Sequence, residues 1–311
     1  MMKKNIICIP FAHIDKYNSG LNVRGGGTVE IYLKNAAVAC VSAKMHNPGC
    51  EVAFATNLTE SDLPESFIDL LTQHNILILH IAYDTFVFPE DYLWSLAFYK
   101  LCVLKHLADM DCESICYLDT DVYIQGSFDQ LWEECKQNIM LLDINHGLGT
   151  SDYRILMDEL AQFFDGRRYI THYGGEFFAA TTQNAKAFVA ECLTIYNEML
   201  VKRTMTTKGD EFILSIAAEK MRANVKNAGA YVYRFWTGTD FRLVSTCYKY
   251  NRVVVLHVPN EKELGMLKLY NRIYKSGKLP PDKVVWGVLR LSRQPLYYQI
   301  KRKIRILIRG K

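Results

Sequence analysis

The sequence predicts an α/β fold with a mostly parallel central sheet flanked by helices, and three observations lead to it. Short apolar runs of strand length alternate through the first half of the chain with stretches of helical period. Ile6 to Phe11 and Ser114 to Asp119 read as buried strands. The second of these runs straight into acidic residues, as expected where an open α/β sheet presents a ligand site beyond the carboxyl ends of its strands.

The elements follow in order. Ile6–Phe11 is the first strand; the two lysines before it give the start of the chain some likeness to an export signal, but the apolar stretch is too short and ends in Pro10 and Phe11. Residues 28–44 have helical spacing, with Val29, Leu33, Ala36, Ala37, Cys40 and Val41 on one face. Residues 51–56 form the second strand. A helix is expected from about Ser61, with the serine as cap and Pro64 in the first turn. Residues 76–81 form the third strand, and residues 92–107, free of Gly and Pro, a helix. After the strand at 114–119, the run from Val122 breaks at Gly126 and a helix begins at Ser127. The stretch from Asn145 to Tyr173 is mixed. Residues 185–201 and 210–221 read as helices and 253–258 as a late strand.

A chain of 311 residues, 50% hydrophobic and 23% charged, can bury a proper core as one large domain or two smaller ones. No run reaches the roughly 18 apolar residues a membrane-spanning helix needs. The nine cysteines are scattered and contain no C-x-x-C pair, so they read as reduced thiols rather than a zinc site. The net charge of +4 is unevenly placed. From Lys283 onward there are nine Lys or Arg and no acid, so removing those nine positive charges leaves −5 on the preceding residues. Within that tail Ile300, Ile304, Leu307 and Ile308 share a helical face beside Lys301, Arg302, Lys303, Arg305 and Arg309. This is a basic amphipathic helix suited to an anionic membrane surface, not the basic domain face with interleaved aromatics of a nucleic-acid binder.

Asp119 and Asp121 are the candidate chemistry. In an extended chain residues i and i+2 lie roughly 7 Å apart on one side, too wide for one ion, so a bend after the strand is needed, or one acid binds the ion and the other bonds its waters or ligand hydroxyls. Hard oxygen ligands favour Mn²⁺ or Mg²⁺, with positions left open for phosphate oxygens.

The run Tyr117-Leu-Asp-Thr-Asp-Val-Tyr-Ile-Gln-Gly-Ser-Phe-Asp-Gln-Leu-Trp132 resembles the metal-site segment of the GT-A glycosyltransferases, in particular the family of bacterial lipopolysaccharide galactosyl- and glucosyltransferases and glycogenin. Ser95-Leu-Ala-Phe-Tyr-Lys100 resembles that family's preceding helix. The likeness covers residues 92 to 132 well and the remainder in layout. It implies a GT-A, Rossmann-like catalytic domain over residues 1–265 and a C-terminal helical extension over 266–311. It also implies retaining transfer of a hexose from a UDP-sugar to a glycan or lipid-linked saccharide, with Mn²⁺ or Mg²⁺ as cofactor. Cytoplasmic placement, held to the membrane face through the tail, fits the thiols and the basic helix.

By the same resemblance Asp119, Thr120 and Asp121 hold the metal and donor, and Lys100 reaches the nucleotide-sugar where the family has arginine, keeping the charge but losing the planar fork. His257, after the late strand, is the third metal ligand, although Pro259-Asn-Glu-Lys-Glu follows it in place of the family's glycine and Lys-Pro-Trp. His172-Tyr-Gly-Gly-Glu176 matches a sugar-pocket segment, with Gly174 and Gly175 permitting close backbone approach and Glu176 bonding sugar hydroxyls. Asp210 and Glu211 match an acidic helix start, one of them facing the anomeric carbon or the acceptor. Arg24 and the glycines at 25–27 offer charge and open backbone to a phosphate or uracil.

Three other readings share these features. A haloacid-dehalogenase-type phosphatase also ends a strand in D-x-D but normally begins with that strand, and about 110 residues precede it here. A nucleotidyltransferase would carry a glycine- and lysine-rich loop after the first strand. A non-catalytic module would bind the nucleotide-sugar and leave it intact.

Overall fold

The computed structural model describes residues 3–15, 28–89, 92, 94–145, 147–237 and 253–291, together with 300, 301, 303, 304 and 307. A seven-stranded sheet forms the centre, built from β1 (Ile6–Phe11), β2 (Glu51–Thr56), β3 (Leu77–His80), β4 (Ser114–Leu118), β6 (Ile139–Asp143), β7 (Tyr173–Thr181) and β8 (Val225–Asn227), in the order β3-β2-β1-β4-β7-β6-β8. The pairings β3-β2, β2-β1, β1-β4 and β6-β8 are parallel, and β7 runs against both its neighbours. The fold is therefore α/β with a mostly parallel sheet, as the alternation of apolar runs predicts. A smaller sheet, β5-β10-β9, joins β5 (Val122–Ile124), β9 (Val232–Arg234) and β10 (Val255–His257).

Both faces of the large sheet are covered. Ile7, Ile9, Val52 and Phe54 point into one core, and Ile6, Cys8, Ala53 and Ala55 into the other. This double burial is why β1 reads as a continuous apolar run rather than an alternating one. The first core lies against α1 (Thr28–His46), α2 (Glu65–Gln73), the small sheet, α8 (Gly265–Ser276) and α9 (Asp282–Val288). The second lies against α3 (Tyr99–Ala108), α5 (Ser151–Phe163), α6 (Thr182–Lys202) and α7 (Asp210–Lys220). Each fully buried Leu, Ile, Val or Phe adds about 1.5–3 kcal/mol to the driving force for this layering.

Three expectations of secondary structure need adjusting. α1 is buried on nearly every side from Asn35 to Ala43, not on one face, because α8 and strand β5 of the small sheet both pack on it. The helix expected from Ser61 starts after Pro64; Thr59 instead anchors a short 3₁₀ turn, its backbone N–H donating to Asp62. The helix expected over 92–107 is a 3₁₀ turn at Ser95–Phe98 followed by α3, since Trp94 sits in the left-handed region at φ 67° and breaks it. That backbone conformation costs a bulky residue about 1–3 kcal/mol. In the mixed stretch, α5 is capped by Thr150, whose hydroxyl accepts from Tyr153 N–H. α4 (Asp129–Cys135) begins as expected beside Ser127, whose hydroxyl accepts from Asp129 N–H.

Residue 265, expected to close the main domain, falls at the start of α8, and the same core continues through α9 to Leu291. Of the tail, residues 300, 301, 303, 304 and 307 are helical, with Ile300, Ile304 and Leu307 exposed. No helix among the described residues is long and apolar enough to cross a membrane.

Candidate metal and donor site

β4 ends at Leu118, and its pairing with β7 extends one step further, Asp119 N–H donating to Glu176 O at 3.1 Å. The chain then turns at Thr120 and Asp121 and leaves the large sheet to enter β5 of the small one. This turn is the bend the two acids require. β10 lies antiparallel to β5 with His257 opposite Val122, and Val258 N–H donates to Asp121 O at 3.0 Å. The imidazole is thereby delivered to the acids: one ligand atom each from Asp119, Asp121 and His257 lie within 4.8 Å of one another.

These residues fit a hard divalent cation. Asp121 Oδ2 is buried with no well-directed hydrogen bond, although Lys262 Nζ lies 2.8 Å away and His257 Nε2 3.3 Å away. His257 Nδ1 lies 3.3 Å from Glu176 Oε1, and since a carboxylate only accepts, Nδ1 carries the proton. The neutral ring then has its Nε2 lone pair free, the usual carboxylate–histidine–metal arrangement. Without a cation the balance shifts towards imidazolium. Burial alone would lower the His257 pKa, but the charge of Asp121 outweighs it and carries the group up to about 9. Burial likewise opposes ionisation of Asp121, and the charges of Lys262 and His257 reverse that, holding its carboxyl far below the usual range.

Two further charge clusters adjoin the triad. Lys100 Nζ bridges Asp119 Oδ1 at 3.3 Å and Asp210 Oδ2 at 3.0 Å. Burial pushes the Asp210 carboxyl up to about 7 against the pull of Lys100, the charge of Glu211 adding to the rise. Arg234 holds Glu176 with two 2.6 Å hydrogen bonds and reaches Glu211 at 3.2 Å. His172 Nε2 lies 3.0 Å from the other Glu211 oxygen. Burial would raise Glu211; the bond from His172 and the charge of Arg234 outweigh it and keep the carboxyl low.

The predicted residues thus separate. Asp119, Thr120, Asp121, His257, Lys100, Asp210 and Glu211 line one cleft of about 570 Å³ at the carboxyl ends of β1 and β4. Glu176 does not reach it: its side chain is 0% exposed and committed to Arg234 and His257, so it orients those two groups instead of meeting sugar hydroxyls. Gly174 and Gly175 lie within β7, and the space they leave is filled by protein. A Cβ at Gly174 would overlap the Glu176–Arg234 pair, and one at Gly175 the Asp210–Lys100 pair. The open backbone serves buried ion pairs, not a ligand. Arg24 and residues 25–27 lie outside the described residues.

Sequence reasoning missed Lys262 and Arg234 and gave His172, at the head of the glycine segment, no role of its own. Lys262 is presented by a 3₁₀ turn, Pro259–Glu261, whose buried Glu261 pairs with Arg290 and Thr237, while the Lys262 carbonyl accepts from Asn35 Nδ2 at 3.1 Å. A lysine five positions after a candidate ligand histidine was the available signal. Arg234 carried none, and for both Arg234 and His172 only tertiary contact shows the partner. Compared with models of known protein families and with curated protein sequences, the chain matches none.

Proposed function

We propose that the chain is a metal-dependent glycosyltransferase that moves a hexose from a UDP-sugar to a saccharide or lipid-linked saccharide. The observation that carries this reading is the gathering of Asp119, Asp121 and His257 around one point on the wall of a cleft that also presents lysines 100, 208 and 262. The two hard carboxylates suit Mn²⁺ or Mg²⁺, and Mn²⁺ also accepts the borderline imidazole. Such an ion, when bound, supplies charge neutralisation for a departing diphosphate.

The chain's own residues do the rest. Glu176 holds the His257 ring with Nδ1 protonated and Nε2 turned to the acids. Lys262, next to Asp121, adds positive charge where phosphate oxygens would meet the ligands. Lys100 ties Asp119 to Asp210 and fixes the distance between the metal-binding turn and the helix start. Of the two acids there, Asp210 has a side chain only 3% exposed, whereas that of Glu211 is 22% exposed. Glu211, kept ionised by His172 and Arg234, is the carboxylate offered to the reacting sugar. Retention at the anomeric carbon is taken from the family resemblance.

The test is a panel of UDP-hexoses incubated with Mn²⁺, with and without chelator, scored for UDP release. Release from at least one donor that chelation abolishes is the expected result. Undiminished release under chelation overturns the metal role, and pyrophosphate release from nucleoside triphosphates alone supports a nucleotidyltransferase instead.

The tail completes the proposal. Ile300, Ile304 and Leu307 face outward beside Lys301 and Lys303, suiting the edge of an anionic leaflet where a lipid-linked acceptor is held. A chain ending at Leu291, which keeps the whole core, is expected to lose flotation with phosphatidylserine liposomes that the full chain shows; equal flotation would remove the membrane role.

A further inference from the structure

The cleft carries two aromatic surfaces, at opposite ends of one chain of contacts. At one end Phe11 and Tyr32 stack at 5.6 Å, and Lys262 Nζ lies 5.7 Å from the Tyr32 ring centre. From Lys262 the contacts run through Asp121, His257 and Glu176 to Arg234. At the other end the Arg234 guanidinium lies 6.0 Å from the ring centre of Trp236. Trp94 also lines the cleft and packs on Gly209, the residue before Asp210. Trp94 thus adjoins the acidic start of α7 through Gly209, and Trp236 is linked to it through Arg234, which bonds Glu211 at 3.2 Å, while the tyrosine lies beside Lys262.

Trp236 is 49% exposed, and its backbone is fixed by both neighbours. On one side Phe235 N–H donates to His257 O at 2.7 Å; on the other the Thr237 carbonyl accepts from Asn260 Nδ2 at 2.8 Å, and the Thr237 hydroxyl donates to buried Glu261. A large indole pinned at a cleft wall keeps apolar surface in water that a free side chain would fold away. Trp94 is held in a left-handed backbone conformation, which a bulky residue adopts only when its surroundings enforce it.

We propose that Trp236 and Trp94 form a subsite for a pyranose ring, the acceptor sugar of the transfer proposed above, on which this assignment rests. The chemistry is that of an amphipathic ring. The negative face of an indole attracts the partly positive C–H face of a pyranose, while the sugar's hydroxyls would meet Glu211 and Lys208, which line the same cleft and are paired with Arg234 and Asp152. A nucleobase is flat and would also stack, but its phosphates belong beside Lys262, next to Tyr32, at the other end of the contact chain.

The test uses the full chain labelled with 5-fluorotryptophan, whose four resonances are assigned by single Trp→Phe substitutions. It is titrated with methyl β-galactopyranoside and methyl β-glucopyranoside, with galactitol as the acyclic control, and separately with Mg²⁺–UDP. The Trp236 resonance is expected to shift saturably with at least one pyranoside and not with galactitol. Trp236→Ala is expected to weaken that binding about tenfold, read at the Trp94 resonance. An unmoved Trp236 resonance, an equal response to galactitol, or a Trp236 response to Mg²⁺–UDP alone overturns the subsite. Should Trp236→Ala not fold, the wild-type titration decides. A pyranoside shift without UDP release from any donor keeps the subsite and removes the transferase; UDP release without a pyranoside shift does the reverse.

Discussion

Asp121→Asn is expected to lower metal-dependent UDP release by at least about 10²-fold, the usual penalty for removing one preorganised electrostatic group at a transition state. The carboxamide keeps the shape but removes half the negative charge that the two aspartates supply. It also leaves Lys262, 2.8 Å away, and His257, 3.3 Å away, as cations without their shared buried counter-charge. A lower melting midpoint in the absence of metal is therefore expected alongside the activity loss. Asp119→Asn separates the two effects: Asp119 is more exposed, so the same activity loss should come with a smaller change in midpoint. Wild-type UDP release in Asp121→Asn would remove Asp121 from the mechanism.

The largest effect on stability is expected from Arg234→Ala, at about 3–5 kcal/mol, the usual result of stripping one partner from a buried ion pair. Glu176 would be left fully buried with neither of its two 2.6 Å bonds from the guanidinium. The pH dependence follows from the direction of its shift. Burial raises the Glu176 pKa, but Arg234 and then His257 overcome it and hold the group well below its ordinary value of 4.5. A depressed acid contributes stability above its unfolded pKa and loses it as pH falls through the folded one. The deficit of the variant should thus be full at neutral pH and shrink as Glu176 becomes free to protonate. Denaturant midpoints of both proteins from pH 4 to 7 read this, and adding Glu176→Gln to the variant should recover much of the loss. A constant deficit across that range would mean that Glu176 is not the group left stranded.

How much of this could be read beforehand depends on the kind of signal each residue carries. Asp119 and Asp121 stand out because they end a buried apolar strand, and His257 because it closes another; both are properties of local sequence. Arg234 ends a three-residue strand with nothing to distinguish it from a surface cation, and its partner Glu176 lies far off in the chain. The glycines of β7 were visible but open to two explanations, since a missing Cβ makes room for whatever lies opposite. Here that is Glu176 with Arg234 on one side and Asp210 with Lys100 on the other. α1 shows the same limit in the core: its Ala-rich run hides the second apolar face, and only tertiary packing, by β5 and by a helix from the far end of the chain, explains why Ala39 and Ala43 are as buried as Leu33. Trp94 is a case of local conformation defeating composition, because residues 92 to 98 contain no helix breaker and yet the backbone reverses sign there.

The division of the candidate ligands between two sheets also governs when the proposed centre could exist. Both aspartates belong to the turn where β4 hands over to β5, while the imidazole ends β10 and Lys262 follows it. A nascent chain that has emerged only through β7 can pair β4 in the large sheet, yet it still lacks the strand that brings the imidazole. Closing so long a loop is entropically late. On the metal role proposed above, a divalent ion would therefore meet no complete site until β10 has been made and the small sheet has closed.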